Sequence, residues 1–249
     1  MRRIRPPAAA VLGVLAILAL PAAASAAPPS NLVCNGTYSG TYASVTVPPN
    51  GTCNLFNATV LGSVVVLNGG NLNLANADGV SNVAIKGSVV IGSNGSYSQY
   101  VGDSVGGMTT AQPGSTVAIT GGTSHNIVTN AAGVVEVTST TVEGSVTANQ
   151  TQSFAYVASN PTITGDVLLN GTASGTVSEV TLNTVGGSVY LTNNQSDPDD
   201  VYFNTIQHNL VCTGNNPPPS YEGYGNYVRG RELGQCAGFP SDPSLGASE

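Results

Sequence analysis

One short phrase governs this chain. A glycine, then Ser, Asp or Asn, then two to four mainly apolar residues, returns about every 19 to 25 residues. It reads Gly62-Ser63-Val64-Val65-Val66, Gly87-Ser88-Val89-Val90-Ile91, Gly144-Ser145-Val146, Gly165-Asp166-Val167-Leu168-Leu169 and Gly187-Ser188-Val189-Tyr190-Leu191. His replaces Gly in His125-Asn126-Ile127-Val128 and His208-Asn209-Leu210-Val211. A fixed period near this length, carrying β-branched strands, means stacked turns of chain. The mature chain has no segment with helical periodicity. The expected architecture is therefore a right-handed, single-stranded parallel β-helix of about eight coils, with a Gly mark at 62, 87, 106, 125, 144, 165, 187 and 208.

Each coil also carries a second strand upstream of its mark, at Thr116 to Ile119, Val134 to Val137, Phe154 to Val157, Val177 to Val180 and Val201 to Asn204. A short third strand is expected around Val142, Ile163, Val185 and Ile206. Strand alternation turns Val64, Val66, Val89, Ile91, Val146, Val167, Leu169, Val189 and Leu191 inward. Glycine at each mark supplies a backbone shape that residues with a Cβ resist, and its polar neighbour is expected to hydrogen-bond locally at the bend. Five residues beyond the mark, Asn130, Asn149 and Asn170 form a column suited to amide stacking.

The ends read differently. Arg2, Arg3 and Arg5, an apolar run from Val11 to Leu20, and Ala24-Ser25-Ala26 form an export signal over 1–26, too short in its apolar part to span a membrane. Its removal leaves Lys86, Arg229 and Arg231 against 13 acidic residues, a net charge of 3 − 13 = −10. That balance repels phosphate backbones and excludes nucleic acid as a partner. In an exported protein, Cys34 with Cys53 and Cys212 with Cys236 are expected as disulfides, the two local pairings being the ones that fit their separation among three connectivities. Zinc is the rival use, but the spacing is wrong for it. Segments 27–59 and 213–236 are then an N-terminal cap with first strands and a C-terminal disulfide cap, flanking a β-helix over 60–212; 237–249 is expected to be a flexible tail.

The terminal phrases, Cys34-Asn35-Gly36-Thr37, Pro48-Pro49-Asn50-Gly51-Thr52-Cys53, Asn209-Leu210-Val211-Cys212-Thr213-Gly214-Asn215 and Gly234-Gln235-Cys236, resemble the ends of secreted actinobacterial β-helix proteins. That resemblance implies fold and export and carries no activity. The inner Gly-Ser-Val and Gly-Asp-Val phrases are loosely similar to bactofilins, which polymerise through solenoid ends; disulfide-closed caps depart from that pattern.

No catalytic, metal or cofactor motif stands out. With three basic residues left, β-elimination of a polysaccharide lacks the charge to steady an enolate. Glycoside hydrolysis needs two facing carboxyls, and the aligned middle strands offer Glu136, Tyr156, Glu179 and Tyr202 as one outward column on consecutive coils. Two coil steps put those glutamates roughly 10 Å apart, the outer limit for an inverting pair. The same alternation of acid and aromatic suits a sugar-binding strip, and also an ordinary solvated face. Asp197, Asp199 and Asp200 form the densest acidic cluster, in the loop Asn193 to Asp200; oxygen-rich loops can hold Ca2+, though no calcium-loop spacing is present. Tyr221, Tyr224 and Tyr227 with Arg229 and Arg231 offer either a contact patch or packing over the open end. The reading that follows is a secreted, extracellular, non-catalytic structural or adhesive protein, with cell-wall or matrix polysaccharide as the partner to test. The alternative is a carbohydrate-binding or polysaccharide-cleaving protein using the Glu and Tyr column.

Overall fold

The computed structural model describes residues 29–75, 81–197 and 199–246. The export segment expected at 1–26 lies outside the described residues. Consecutive turns of chain stack in register, each strand pairing in parallel with its counterpart one turn on. One face is a ladder of eleven parallel strands in chain order, from Asn31–Val33 through Ser44–Val47, Val64–Val66 and Val89–Ile91 to Leu210–Thr213 and Glu232–Gly234. The other 17 strands form two further ladders, joined where Gly36–Tyr42 and Thr52–Val60 run along both. Three strands per turn, as expected from the pattern, close an all-β parallel solenoid. Helix among the described residues is a single 3-10 turn, Pro243–Gly246.

About ten turns stack, more than the eight the Gly marks suggest. Additional rungs lie at both ends: Asn31–Val33 and Ser44–Val47 precede the first Gly-Ser phrase, and Glu232–Gly234 follows the last. The first two rungs lack the Gly mark, whereas the last keeps it at Gly230, whose N–H donates to the His208 carbonyl, with Arg231 in place of the polar neighbour. The tail also differs from expectation over 237–246, which folds back on the last coil. There the Asn226 N–H donates to the Pro240 carbonyl, the Asp242 N–H donates to the Asn226 carbonyl, and the Thr205 hydroxyl donates to the Leu245 carbonyl. Tyr227, left open by the end of the stack, supplies the surface on which Gly246 rests.

The interior is one mainly aliphatic column, interrupted by buried polar side chains such as Gln99, Ser124 and Ser178. Val64, Val66, Val89, Ile91, Val146, Val167, Leu169, Val189 and Leu191 are all buried, as alternation requires. Cys34–Cys53 and Cys212–Cys236 are bonded, with Cα atoms 5.3 and 5.4 Å apart, and all four sulfurs belong to the buried core.

The Gly marks have a different cause from the one the sequence suggests. Gly62, Gly87, Gly144, Gly165 and Gly187 do not have left-handed backbones. They are small because successive coils touch there: a Cβ on Gly87 would stand 2.6 Å from the Gly62 carbonyl, and one on Gly107 would stand 2.7 Å from that of Gly87. The same contact places the third mark at Gly107 rather than Gly106, since the Gly107 N–H donates to the Gly87 carbonyl. The polar neighbour likewise bonds between coils and not within its own bend. Ser63 Oγ accepts from the Ser88 N–H, Ser88 Oγ from Met108, Asn126 Oδ1 from Ser145, Ser145 Oγ from Asp166, Asp166 Oδ1 from Ser188, Ser188 Oγ from Asn209, and Asn209 Oδ1 from Arg231. A side-chain ladder thus continues the backbone ladder around the corner.

The outward Asn column is present, with Asn149 donating to Asn130 and Asn170 donating to Asn149, each at 3.3 Å. A second, buried ladder was not anticipated. Asn160, Asn183, Asn204 and Asn226 stack inside the wall; the first three amides each donate to the next Oδ1 at 2.9 to 3.0 Å, and all four donate to a strand carbonyl one coil back. The ladder satisfies backbone groups at a bend that would otherwise be buried without partners.

Candidate functional site

The outward Glu and Tyr column exists, with one exchange. Glu136 pairs with Tyr156 and Tyr156 with Glu179 on successive rungs. The next position is Asp200, and Tyr202 stands two residues further along, opposite Thr181. A shift of two residues keeps every side chain on its own face, so alternation alone is blind to it. The buried asparagines settle the register: bonding of Asn183 to Asn204 brings Val201 opposite Val180 and Asp200 opposite Glu179. Tyr202 still reaches the column diagonally. Glu179 Oε1 accepts from its hydroxyl at 3.4 Å and from the Thr181 hydroxyl at 2.9 Å.

The acidic cluster read as a loop is divided by a strand. Asp199 and Asp200 begin Asp199–Tyr202, so their side chains point to opposite faces. Asp199 turns into the solenoid, in line with Ser178, where it is 2% exposed and accepts a hydrogen bond from the Asn194 amide at 3.4 Å. Burial raises its pKa, against the pull of hydrogen bonds from Ser178, Asn194 and Ser196. Asp197 stays exposed ahead of the strand. Among the described residues, no three of His, Cys, Asp and Glu gather into a metal-ligand group, and these three aspartates follow that pattern.

Asp200 faces outward but is only 8% exposed, and its Oδ1 accepts no hydrogen bond. Its cover is the following segment, where Ser220 pairs with Asp200 as an isolated parallel bridge and Glu222 takes a hydrogen bond from Ser220 Oγ at 2.8 Å. Desolvation, then the negative charges of Glu222, Glu179, Asp199 and Asp197, push the Asp200 pKa up to about 6. Tyr202 is raised by desolvation and by Glu179 and Asp200; Tyr156 is raised by desolvation and by Glu179.

Aromatic rings flank these carboxylates. Tyr202, Phe203 and Tyr224 are in mutual contact, with centroids 5.6, 5.9 and 4.6 Å apart, and Phe154 stacks on Tyr156 at 5.5 Å. The terminal tyrosines therefore serve separate purposes: Tyr224 joins this cluster, Tyr221 packs on Phe239 at 4.9 Å, and Tyr227 supports the folded-back tail. Arg229 lies elsewhere, donating to Gln207 at 2.9 Å. Glu222 and Phe203 had no signal in the repeat, because the first lies beyond it and the second sits at a positive-φ bend.

Compared with known proteins, the chain matches no protein-family model, no curated protein and no solved structure. No described helix is long and apolar enough to cross a membrane. Two disulfides are compatible with an oxidising, extracellular setting.

Proposed function

We propose that this protein is a secreted, non-catalytic β-solenoid, serving as a structural or adhesive element of a cell envelope or extracellular matrix. The observation that carries the reading is the uninterrupted eleven-strand ladder, fastened by a disulfide near each end and laced at its corners by side-chain bonds from coil to coil. Such a rod resists local opening and presents long, regular faces, which suits load-bearing and attachment. Its test is co-sedimentation of the mature protein with insoluble wall and matrix polysaccharides, together with assays of soluble sugar release. Sedimentation without turnover is the expected outcome. Turnover that disappears in Glu136→Gln or Glu179→Gln would overturn the reading.

A second reading, glycan cleavage, is favoured by one feature. Glu179 and Asp200 face the same side on adjacent rungs, about 4.8 Å apart along the stack, close to the carboxyl separation of a retaining pair. Asp200, pushed up to about 6, has the protonation range of a general acid. Sugar release abolished by both Asp200→Asn and Glu179→Gln, with retained anomeric configuration, is the outcome this reading requires.

A further inference from the structure

The carboxylates around Asp200 pose an electrostatic problem. Beside its burial, the charges that act on this side chain are those of other carboxylates: Glu222 from the covering turn, Glu179 from the neighbouring strand, and Asp199 and Asp197 from its own strand and the residues before it. Asp200 is more than nine-tenths buried, and its Oδ1 has no hydrogen-bond donor. A concentration of negative charge with a desolvated, unpartnered carboxylate beneath it is stabilised by a cation from outside. The described residues do not converge as a metal site. What lies beside them is a set of three touching rings, Tyr202, Phe203 and Tyr224, with Tyr224 52% exposed. Carboxylates and aromatic faces together recognise organic ammonium groups, the rings through their negative π faces.

We infer that Glu179, Asp200 and Glu222, flanked by Tyr202 and Tyr224, form a binding site for the ammonium groups of a glycan bearing free amines, of the glucosamine class.

The sheet argues for a glycan over a basic peptide. An extended peptide binds a sheet by adding to a free edge, and here the strand Val177–Thr181 is paired on both sides, with Phe154–Ala158 and with Asp199–Tyr202. The face is open to side-chain contact alone. The strip continues from Asp200 through Glu179 and Tyr156 to Glu136 at one residue per rung, so acidic and aromatic contacts repeat along the rod. A linear polymer of amino sugars offers ring faces and amines along its length, to meet a strip of three acids and one aromatic.

The proposal rests on the adhesive, polysaccharide-facing reading, and its test separates the two. The mature protein is titrated calorimetrically, at about pH 6.5 and low salt, with a glucosamine hexasaccharide and with its N-acetylated counterpart, which has the same skeleton and no charge. The amine oligomer is expected to bind at least about tenfold more tightly, and Asp200→Asn, Glu179→Gln and the surface change Tyr224→Ala each to weaken it about tenfold. Thermal unfolding of each variant establishes that it is folded; Tyr224→Ala and Glu179→Gln carry the test should Asp200→Asn not fold. Equal affinity for the two hexasaccharides, or folded variants that bind as the parent does, would overturn the site. So would oligolysine binding more tightly than the amine oligomer and losing affinity in the same variants, or a Ca2+-induced rise in melting temperature that Asp200→Asn abolishes. Loss of the amine preference while co-sedimentation persists removes this site and leaves the adhesive function standing. A parent protein that sediments with no polysaccharide removes the function itself.

Discussion

Asn149 and Asn183 each stack on an asparagine of a neighbouring coil, yet they face different solvents. Asn149 lies on the outer wall and exchanges bonds of 3.3 Å with Asn130 and Asn170, for which water is a ready substitute. Asn183 is buried. Its Oδ1 accepts from the Asn160 backbone and amide at 3.2 and 2.9 Å, and its own amide donates to the Val157 carbonyl and to Asn204 Oδ1 at 2.8 and 3.0 Å. Alanine at 183 strands several buried partners at once, whereas alanine at 149 strands none. Urea unfolding is expected to show a loss of about 3 kcal/mol or more for Asn183→Ala and less than about 1 kcal/mol for Asn149→Ala. The glycines of the corners are constrained by contact, so Gly87→Ala has no strained φ to relieve and a carbonyl 2.6 Å away to displace. The expected cost is about 2 kcal/mol in the same assay, within the range of an overpacked core. A destabilisation of a few tenths would show that the coils separate freely at Gly62.

At the scale of strands, the disulfides are the least redundant parts of the stack. A solenoid coil touches only its neighbours, so interior coils are held from two sides and terminal coils from one. Cys34–Cys53 joins residues 19 apart in the first coils, and Cys212–Cys236 joins residues 24 apart in the last. Replacing both Cys34 and Cys53 by Ser is expected to cost about 3 kcal/mol. In hydrogen exchange, the loss should fall on Asn31–Val33, Gly36–Tyr42 and Ser44–Val47 and leave Val146–Asn149 unchanged. Uniform loss of protection would mean that the rod unfolds as one unit. The repeat made the interior strands and their inward residues legible, because alternation and a period near 20 residues are imposed by the stack itself. It did not reveal the first and last rungs, whose bends lack Gly-Ser, nor the position of Asp200 in the outward column. That position depends on a two-residue choice of register made by Asn183 and Asn204, and a buried amide ladder has no hydrophobic signature in a chain already rich in Asn.

The whole molecule carries its excess of acid in an unusual way. Asp103, Asp199 and Glu232 are raised chiefly by burial, and Asp200 by burial and by the four carboxylates near it. Acid groups usually gain from folding, through ion pairs that hold their pKa down and stabilise the native state at neutral pH. Here the shifts run the other way. Between the ordinary aspartate value of 3.8 and the folded value of about 6, the native state binds more protons at Asp200 than the unfolded chain does. Stability therefore falls as pH rises through that window, and the cost is fully present above it. For Asp200 the penalty is about 1 kcal/mol once contact with solvent is allowed for, and Asp103, Asp199 and Glu232 add to it in the same direction. Repulsion within a chain that carries 13 acidic residues against six basic ones works in the same sense. Urea midpoints are thus expected to be higher near pH 5 than near pH 7.5, with Asp200→Asn raising the value at the higher pH and flattening part of the difference. If stability instead climbs steadily from pH 5 to 7.5, the carboxylates at 199 and 200 must be solvated or neutralised by a bound cation. Repeating the profile with the glucosamine hexasaccharide present distinguishes these, since an ammonium seated among Glu179, Asp200 and Glu222 should restore stability on the alkaline side only while those residues keep their charge.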